Sequence, residues 1–516
     1  MADHGFWTYA QKDPSRLALV EPDGRQWTRG ELHADCNRIV HGLRALGLGK
    51  GDVVAALLPN EAAIIELYLA VTQAGMYLVP VNWHLTAPEI AYIVQDSEAK
   101  VLVAHERFGD AVAKAAAEIA FPAERRFAVG AIPGFRPFAE LSAGQPTTPP
   151  AERAAGAVMN YTSGTTGRPK GVRRSLPPID PDIAATLMTG FFAMFGIKAE
   201  DGNVHLCGSP LYHTAVLVFS STSLHYGHAV VLMDRWTPEG CLDAIQRYRV
   251  TTSHMVPTQF HRLLGLPEDV RERYDVSSVR CMVHAAAPCP VEIKKRMIEW
   301  WGPAICEYYA ATEGGGTLVG AEEWMKKPGT VGRAWAGAEI RIYDDAEKQL
   351  PPGEIGTVYM RLGAADFEYY KDKEKTRKNR IENFFTVGDV GYLDPDGYLF
   401  LCDRKTDMII AGGVNIYPAE IESVFLSHPK VGDVAVFGIP HEDFGEEVKA
   451  VIEPAAGVAP GPALERELLD WCADKLAKYK TPRSIDFIAE MPRDPNGKLY
   501  KRKLRDPYWQ GRSRAI

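Results

Sequence analysis

Tyr161-Thr162-Ser163-Gly164-Thr165-Thr166-Gly167-Arg168-Pro169-Lys170-Gly171 is the most informative stretch of this chain. Gly164 and Gly167 remove side-chain bulk, so backbone amides can approach an anion. Thr162, Ser163, Thr165 and Thr166 add hydroxyl donors, and Arg168 and Lys170 add positive charge. Amide-lined concavities of this kind bind phosphate. The spacing G-x-x-x-x-G-K-[ST] is absent, so this is not a Walker loop. Taken alone, a hydroxyl-rich turn is the plainer reading of such a run, and the segments around it decide.

Upstream, helix and strand signals alternate. Thr28-Arg29-Gly30-Glu31 fits a capping box, in which Thr and Glu satisfy each other's free amides. Leu32, Cys36, Ile39, Val40 and Leu43 then recur at helical spacing, and Gly47 can end that helix. Short apolar runs at 53–58, 77–81 and 101–104 read as strands, with helices over 62–74 and 88–95 between them. Repeated βα alternation predicts an α/β fold with a parallel sheet covered on both faces. Pro- and Gly-rich runs at 133–150 and 177–181 punctuate the middle, and the first follows a complete set of α/β units. A second break falls near Asp403-Arg404-Lys405-Thr406-Asp407. Beyond it, strands at 434–437 and 448–452, a helix over 463–477 and a basic tail read as a separate α+β domain. The expected division is therefore 1–403 and 404–516.

At roughly 150 residues per domain, 516 residues predict two to four domains. Hydrophobic residues at 46% and charged residues at 24% are ordinary for a globular chain and exclude a disordered or collagen-like one. The formal charge of −8 argues against nucleic acid as the main partner, since phosphate-backbone binding needs concentrated Lys and Arg. None of the eight cysteines forms a C-x-x-C pair, which fits reduced core thiols in a cytoplasmic protein. The start, Met1-Ala2-Asp3-His4-Gly5, lacks the basic and apolar regions of a signal peptide. The most apolar stretch, 53–81, is interrupted by Asn60, Glu61, Glu66 and Gln73, so no integral membrane segment is expected. The oligomeric state stays open, a homodimer included.

The loop at 161–171 closely resembles the signature loop of the adenylate-forming superfamily: acyl-CoA synthetases, nonribosomal-peptide adenylation domains and beetle luciferases. Further motifs follow in family order over nearly the whole chain. The resemblance implies a large N-terminal domain of βα-layered sheets, which includes the loop residues Thr162 to Gly167 and Lys170 as ATP ligands, and a small mobile C-terminal lid. It also implies a two-step reaction: a carboxylate attacks the α-phosphate of ATP to give acyl-adenylate and pyrophosphate, then a thiol, usually coenzyme A, displaces AMP. Ala285-Ala286-Ala287-Pro288 is similar to the small-residue strand end that lies along adenine. Tyr309-Ala310-Ala311-Thr312-Glu313 resembles Y-G-x-T-E, with Ala310 in place of Gly. It implies that Tyr309 stacks on adenine, Thr312 contacts the α-phosphate and Glu313 holds Mg²⁺, an ion that keeps several waters and needs few carboxylates. Asp389 fits the element whose Asp accepts from both ribose hydroxyls, with Val387 where the pattern has Thr. Asp403-Arg404-Lys405-Thr406-Asp407 matches the hinge motif, whose Arg binds ATP; Thr406 stands at the usual Asp or Lys. Gly412 and Gly413 resemble the Gly pair beside the pantetheine arm, a plain turn being the alternative. Pro492 to Lys498 matches the catalytic-lysine loop, where Asn496-Gly497 makes a tight turn that presents Lys498. Lys501, Arg502, Lys503 and Arg505 after it read as a solvated basic tail.

Pro210-Leu211-Tyr212-His213 resembles one wall of the acyl pocket, placing His213 near the substrate carboxylate; a core histidine is the alternative. Thr214 to Phe219 lacks the Asp that amino-acid-activating relatives use to pair with an α-ammonium. A buried ammonium left unpaired is costly, which disfavours an amino-acid substrate. A second wall is expected from His254-Met255-Val256-Pro257-Thr258, with Gly314, Gly315 and Gly316 supplying space. An uncharged pocket suits a fatty, aryl or alicyclic carboxylate. Few residues follow Arg505, so no fused carrier domain is expected. The implied activity is acyl-CoA ligation with ATP, Mg²⁺ and coenzyme A. An acyl-AMP ligase loading a separate carrier protein, or a luciferase-like oxygenase, is the alternative. A non-catalytic relative would be expected to have lost Lys498 or Glu313, and both are present.

Overall fold

The computed structural model describes residues 4–162, 169–311, 315–363, 368–369, 374, 377, 379–493 and 499–510. The chain divides into two compact units. The first takes Met1–His254, Glu268–Met282 and Asp366–Arg377; the second takes Met255–Pro267, Val283–Ala365 and Lys378–Ile516.

In the first unit, a six-stranded sheet contains Val53–Leu57, Tyr77–Pro80, Val101–His105 and Arg126–Val129. Its pairings are all parallel. Alternate strand residues point to opposite faces, as strand geometry requires. Val54, Ala56, Val101 and Val103 pack with helices Arg29–Ala45 and Ala62–Gln73. Val53, Ala55, Leu57, Leu102 and Ala104 pack with helices Ala87–Asp96 and Gly109–Glu118. The sheet is thus covered on both faces, as the βα alternation predicts. The capping box at Thr28 forms as read: its side chain accepts from the Glu31 amide, and the Glu31 carboxylate accepts from the Thr28 amide at 2.8 Å. Leu32, Cys36, Ile39, Val40 and Leu43 are all buried. A second group of strands in this unit, Leu17–Val20, Val204–Cys207 and Ala229–Leu232, is also parallel. Helices Pro181–Ala193, begun by an Asp180 cap and a proline, and Thr214–His225 belong to the same unit.

In the second unit, antiparallel hairpins dominate. Ile305–Ala310 pairs with Gly316–Gly320, Ala338–Tyr343 with Gly356–Leu362, and Asp389–Leu393 with Leu399–Arg404. Towards the C-terminus, the long pair Val431–His441 and Gly445–Pro454 anchors a five-stranded sheet. Its core joins Val434, Val436, Ala450 and Ile452 to Ile421 and Phe425 of helix Pro418–Leu426 and to Leu464 and Leu468 of helix Pro462–Ala473. This is the α+β arrangement expected there. Helix Pro462–Ala473 ends four residues before the expected 477, with Asp474 at its C-terminal cap position.

All eight cysteines are free thiols. Among the described residues, no helix is long and apolar enough to cross a membrane.

Candidate active site

Two hairpins of the second unit bring three of the expected nucleotide ligands together. Tyr309 stands opposite Thr317 on one, and Asp389 opposite Arg404 on the other. The Tyr309 hydroxyl donates to Asp389 Oδ2 at 2.6 Å, and Arg404 Nε lies 3.4 Å from Asp389 Oδ1. Asp389 is only 8% exposed, so its carboxylate is held in one orientation. The group offers a flat ring for a base, a two-oxygen acceptor for a vicinal diol and a cation for phosphate. The Thr386 hydroxyl accepts from the Gly388 amide at 3.0 Å, and Gly388 takes φ +86° to turn the chain into Asp389. A hydroxyl therefore supports this turn from one position earlier than the family pattern has it.

Ala286 lies in the segment read as the adenine wall, with Ala287 and Pro288 after it, beyond strand Cys281–His284. It adopts φ +74°. A non-glycine residue in that region costs about 1–3 kcal/mol, and such strain clusters at functional sites. Thr312 and Glu313 lie outside the described residues. Glu313 is the carboxylate expected for Mg²⁺. Gly315 has φ +77°, and a Cβ on Gly316 would collide with the Tyr309 carbonyl oxygen. The hairpin backbone itself thus requires two of the three glycines expected to supply acyl space, Gly314 lying outside the described residues.

Gly412 and Gly413, at φ +58° and +80°, form the two-residue turn joining strands Ile409–Ala411 and Val414–Ile416. Tight hairpins of this kind need positive φ at both central positions, which accounts for both glycines. Lys498 lies outside the described residues, but both stems of its loop are pinned. Arg493 donates twice to Asp433, at 2.5 and 2.7 Å, and bridges to Leu499. Lys501 pairs with Glu422 at 2.8 Å. Burial lowers the Lys501 ammonium pKa, but Glu422, Asp403 and Asp407 raise it more, leaving it above its ordinary value. Lys501 is therefore not part of a solvated tail, because a buried ammonium is kept only with partners.

In the first unit, strands Asn160–Thr162 and Lys170–Arg173 flank the phosphate loop, with Thr162 opposite Lys170. The loop residues Ser163, Gly164, Thr165, Thr166 and Gly167 lie outside the described residues. A Cβ on Gly171 would strike Met159 and the Tyr161 ring, so close strand packing explains that glycine. His213 is the N-terminal cap position of helix Thr214–His225, and its ring lies 4.3 Å from that of Tyr212. The Phe219 ring lies 4.9 Å from that of His254, the residue that opens the second expected wall. Phe191, Phe195 and His205 also surround Phe219. Burial pushes the His205 imidazole down to about 3 and that of His254 to about 4, so both are neutral near pH 7. Phe191, Phe195, His205, Arg493 as a clamp and the Tyr309–Asp389 bond were not read from the sequence. The phenylalanines recur at a helical spacing of four, which was the available signal.

The family model for AMP-binding enzymes matches residues 6–370, and that for the AMP-binding enzyme C-terminal domain matches 420–498. The chain is 33% identical to the fatty acid–[acyl-carrier-protein] ligase ScoC of Streptomyces coeruleorubidus, over 98% of this chain and 96% of that one. It is 32% identical to the long-chain-fatty-acid–CoA ligase FadD13 of Mycobacterium tuberculosis, over 97% and 98%. Among solved structures, the anthranilate CoA ligase AuaEII in complex with anthranoyl-AMP superposes with a TM-score of 0.85 at 27% identity, covering 98% of this chain and 97% of that one. The chain belongs to the AMP-binding enzyme family.

Proposed function

We propose that this chain is an ATP-dependent acyl-CoA ligase. It activates a hydrophobic carboxylic acid as acyl-AMP with release of pyrophosphate, then transfers the acyl group to coenzyme A. The observation that carries this reading is the Tyr309–Asp389–Arg404 group, built for a base, a ribose and a phosphate. The loop 163–167 with Lys170 holds the ATP phosphates, Ala286 to Pro288 and Tyr309 hold adenine, and Asp389 holds ribose. Glu313 holds Mg²⁺, whose charge offsets that of the phosphates, and Thr312 contacts the α-phosphate. Lys498, carried by a lid at 404–516 that hinges near Thr406, donates to the carboxylate and α-phosphate as charge redistributes; such a donor is worth ~3–4 kcal/mol. Phe219 and the neutral His254 favour an uncharged acyl chain or ring, because nothing in that aromatic group answers a second charge.

Similarity to a carrier-protein ligase supports a second reading, in which the acceptor thiol belongs to a separate acyl carrier protein. The test is pyrophosphate release from ATP and Mg²⁺ with a panel of short and long fatty, aryl and alicyclic acids, with and without coenzyme A. Multiple turnover that needs both one acid class and coenzyme A is expected. A single equivalent released whether or not coenzyme A is present would move the acceptor to a carrier protein. No release with any acid would overturn both readings.

A further inference from the structure

The nucleotide ligands of the second unit are backed by a buried charge that none of the roles above uses. In helix Val291–Trp301, Ile293, Met297 and Trp301 are buried, and Lys294 falls in the same stripe. Lys294 is 0% exposed and donates its Nζ to Glu307, itself 5% exposed. The ammonium lies 4.7 Å from the Trp324 ring centroid, and His284 Nε2 is 3.7 Å from Glu307 Oε2. The Phe260 ring stands edge-on to His284 at 5.2 Å. Aromatic rings thus enclose the charges away from water.

The chain positions of these residues are what matter. His284 ends its strand immediately before Ala285, where the adenine wall begins. Glu307 lies two residues before Tyr309 on strand Ile305–Ala310, and so on the same face. Replacing a buried ion pair by apolar groups of similar volume is often neutral or stabilising, so stability alone does not account for this one. A directional pair fixes register where apolar contacts allow sliding. The strained backbone at Ala286 needs such support, since strain persists only where the surroundings over-determine it.

We propose that Lys294 and Glu307 are positioning residues for nucleotide binding: their ion pair, with His284 against it, locks the Tyr309 strand to the chain leaving His284 and sets the gap that admits adenine. The proposal rests on the nucleotide reading above and adds what holds that site in shape. Base selection then depends on residues that never touch the base.

The test uses the full chain with two variants, the double substitution Lys294→Met with Glu307→Gln and the conservative Glu307→Asp. ATP and GTP binding are measured by calorimetry beside steady-state kinetics. The double variant is expected to keep its melting temperature within a few degrees. Its Kd and KM for ATP rise about ten-fold. Its preference for ATP over GTP falls, while kcat and the KM for the acid stay near wild type. Glu307→Asp, which keeps both charges and shortens one arm, changes the same quantities in the same direction by less, and it decides the question if the double variant does not fold. Wild-type ATP affinity and base preference in the variants overturn the proposal while leaving the ligase reading intact. A wild-type protein that binds no ATP overturns both.

Discussion

The nucleotide side of the second unit and the aromatic group of the first unit are built on opposite principles. Around Asp389, oriented polar groups on regular hairpins meet at hydrogen-bond distance. Around Phe219, aromatic rings and two imidazoles kept neutral by burial meet through faces and edges. The first arrangement suits a ligand that never changes. The second suits one selected by shape, where a change of side chain alters preference without altering chemistry. On this account, variants of the first group affect every acid alike, and variants of the second re-rank the acids.

The largest expected effect breaks the reaction for all acids. Lys498→Ala is expected to lower adenylate formation by at least about 10²–10³. Thioester formation from supplied acyl-adenylate is expected to survive. Equal loss of both half-reactions, measured by pyrophosphate release and by acyl-CoA formation, would remove Lys498 from its assigned role. Next, Asp389→Ala removes a charged acceptor worth about 1.5–3 kcal/mol, so the KM for ATP rises roughly 10–100-fold with the order of acids unchanged. Tyr309→Phe deletes one hydroxyl and costs less, about five-fold. Phe219→Leu vacates part of the aromatic group. It is expected to shift preference among acids by about ten-fold, the lower end of the roughly 1–3 kcal/mol that one methylene in a pocket is worth. The KM for ATP is expected to stay within two-fold of wild type.

The smallest effect is on stability against pH. Burial lowers His205 and His225 to about 3 and His228 and His254 to about 4. In the unfolded chain these imidazoles bind protons near pH 6.5. Between that value and about 4 the unfolded state therefore holds more protons, so stability falls as pH falls through this window. Burial raises the carboxyls of Glu61 and Glu66 to about 8, which acts the other way, so thermal melts are expected to gain from pH 8 to 6.5 and then to lose progressively towards pH 4.5, where four imidazoles outweigh two carboxyls. A midpoint that rises on acidification from pH 6.5 to 4.5 would contradict neutral burial of these rings.

The same contrast governs what the sequence makes legible. The capping box at Thr28, the double-faced strands at 53–58 and the C-terminal strand pair all appear where periodicity and caps place them, because local rules dominate there. The expected nucleotide ligands Tyr309, Asp389 and Arg404 were legible as motifs of fixed residue type and spacing, and the structure brings the three together. Three features were not. The Lys294–Glu307 pair joins a helix to a strand, and its signal was a lysine inside an apolar stripe. The clamp from Arg493 to Asp433 joins residues 60 positions apart. The glycines at 315 and 316 answer to backbone geometry, a requirement that spacing does not carry.

The central claim is that nucleotide capture and acid selection are separable. A double-mutant cycle on kcat/KM, with Asp389→Ala, Phe219→Leu and their combination, tests it most directly. Independent sites add within about 0.3–0.5 kcal/mol, and that is the predicted result for every acid accepted. An interaction energy above about 1 kcal/mol, or a reordering of acids by Asp389→Ala alone, would contradict it.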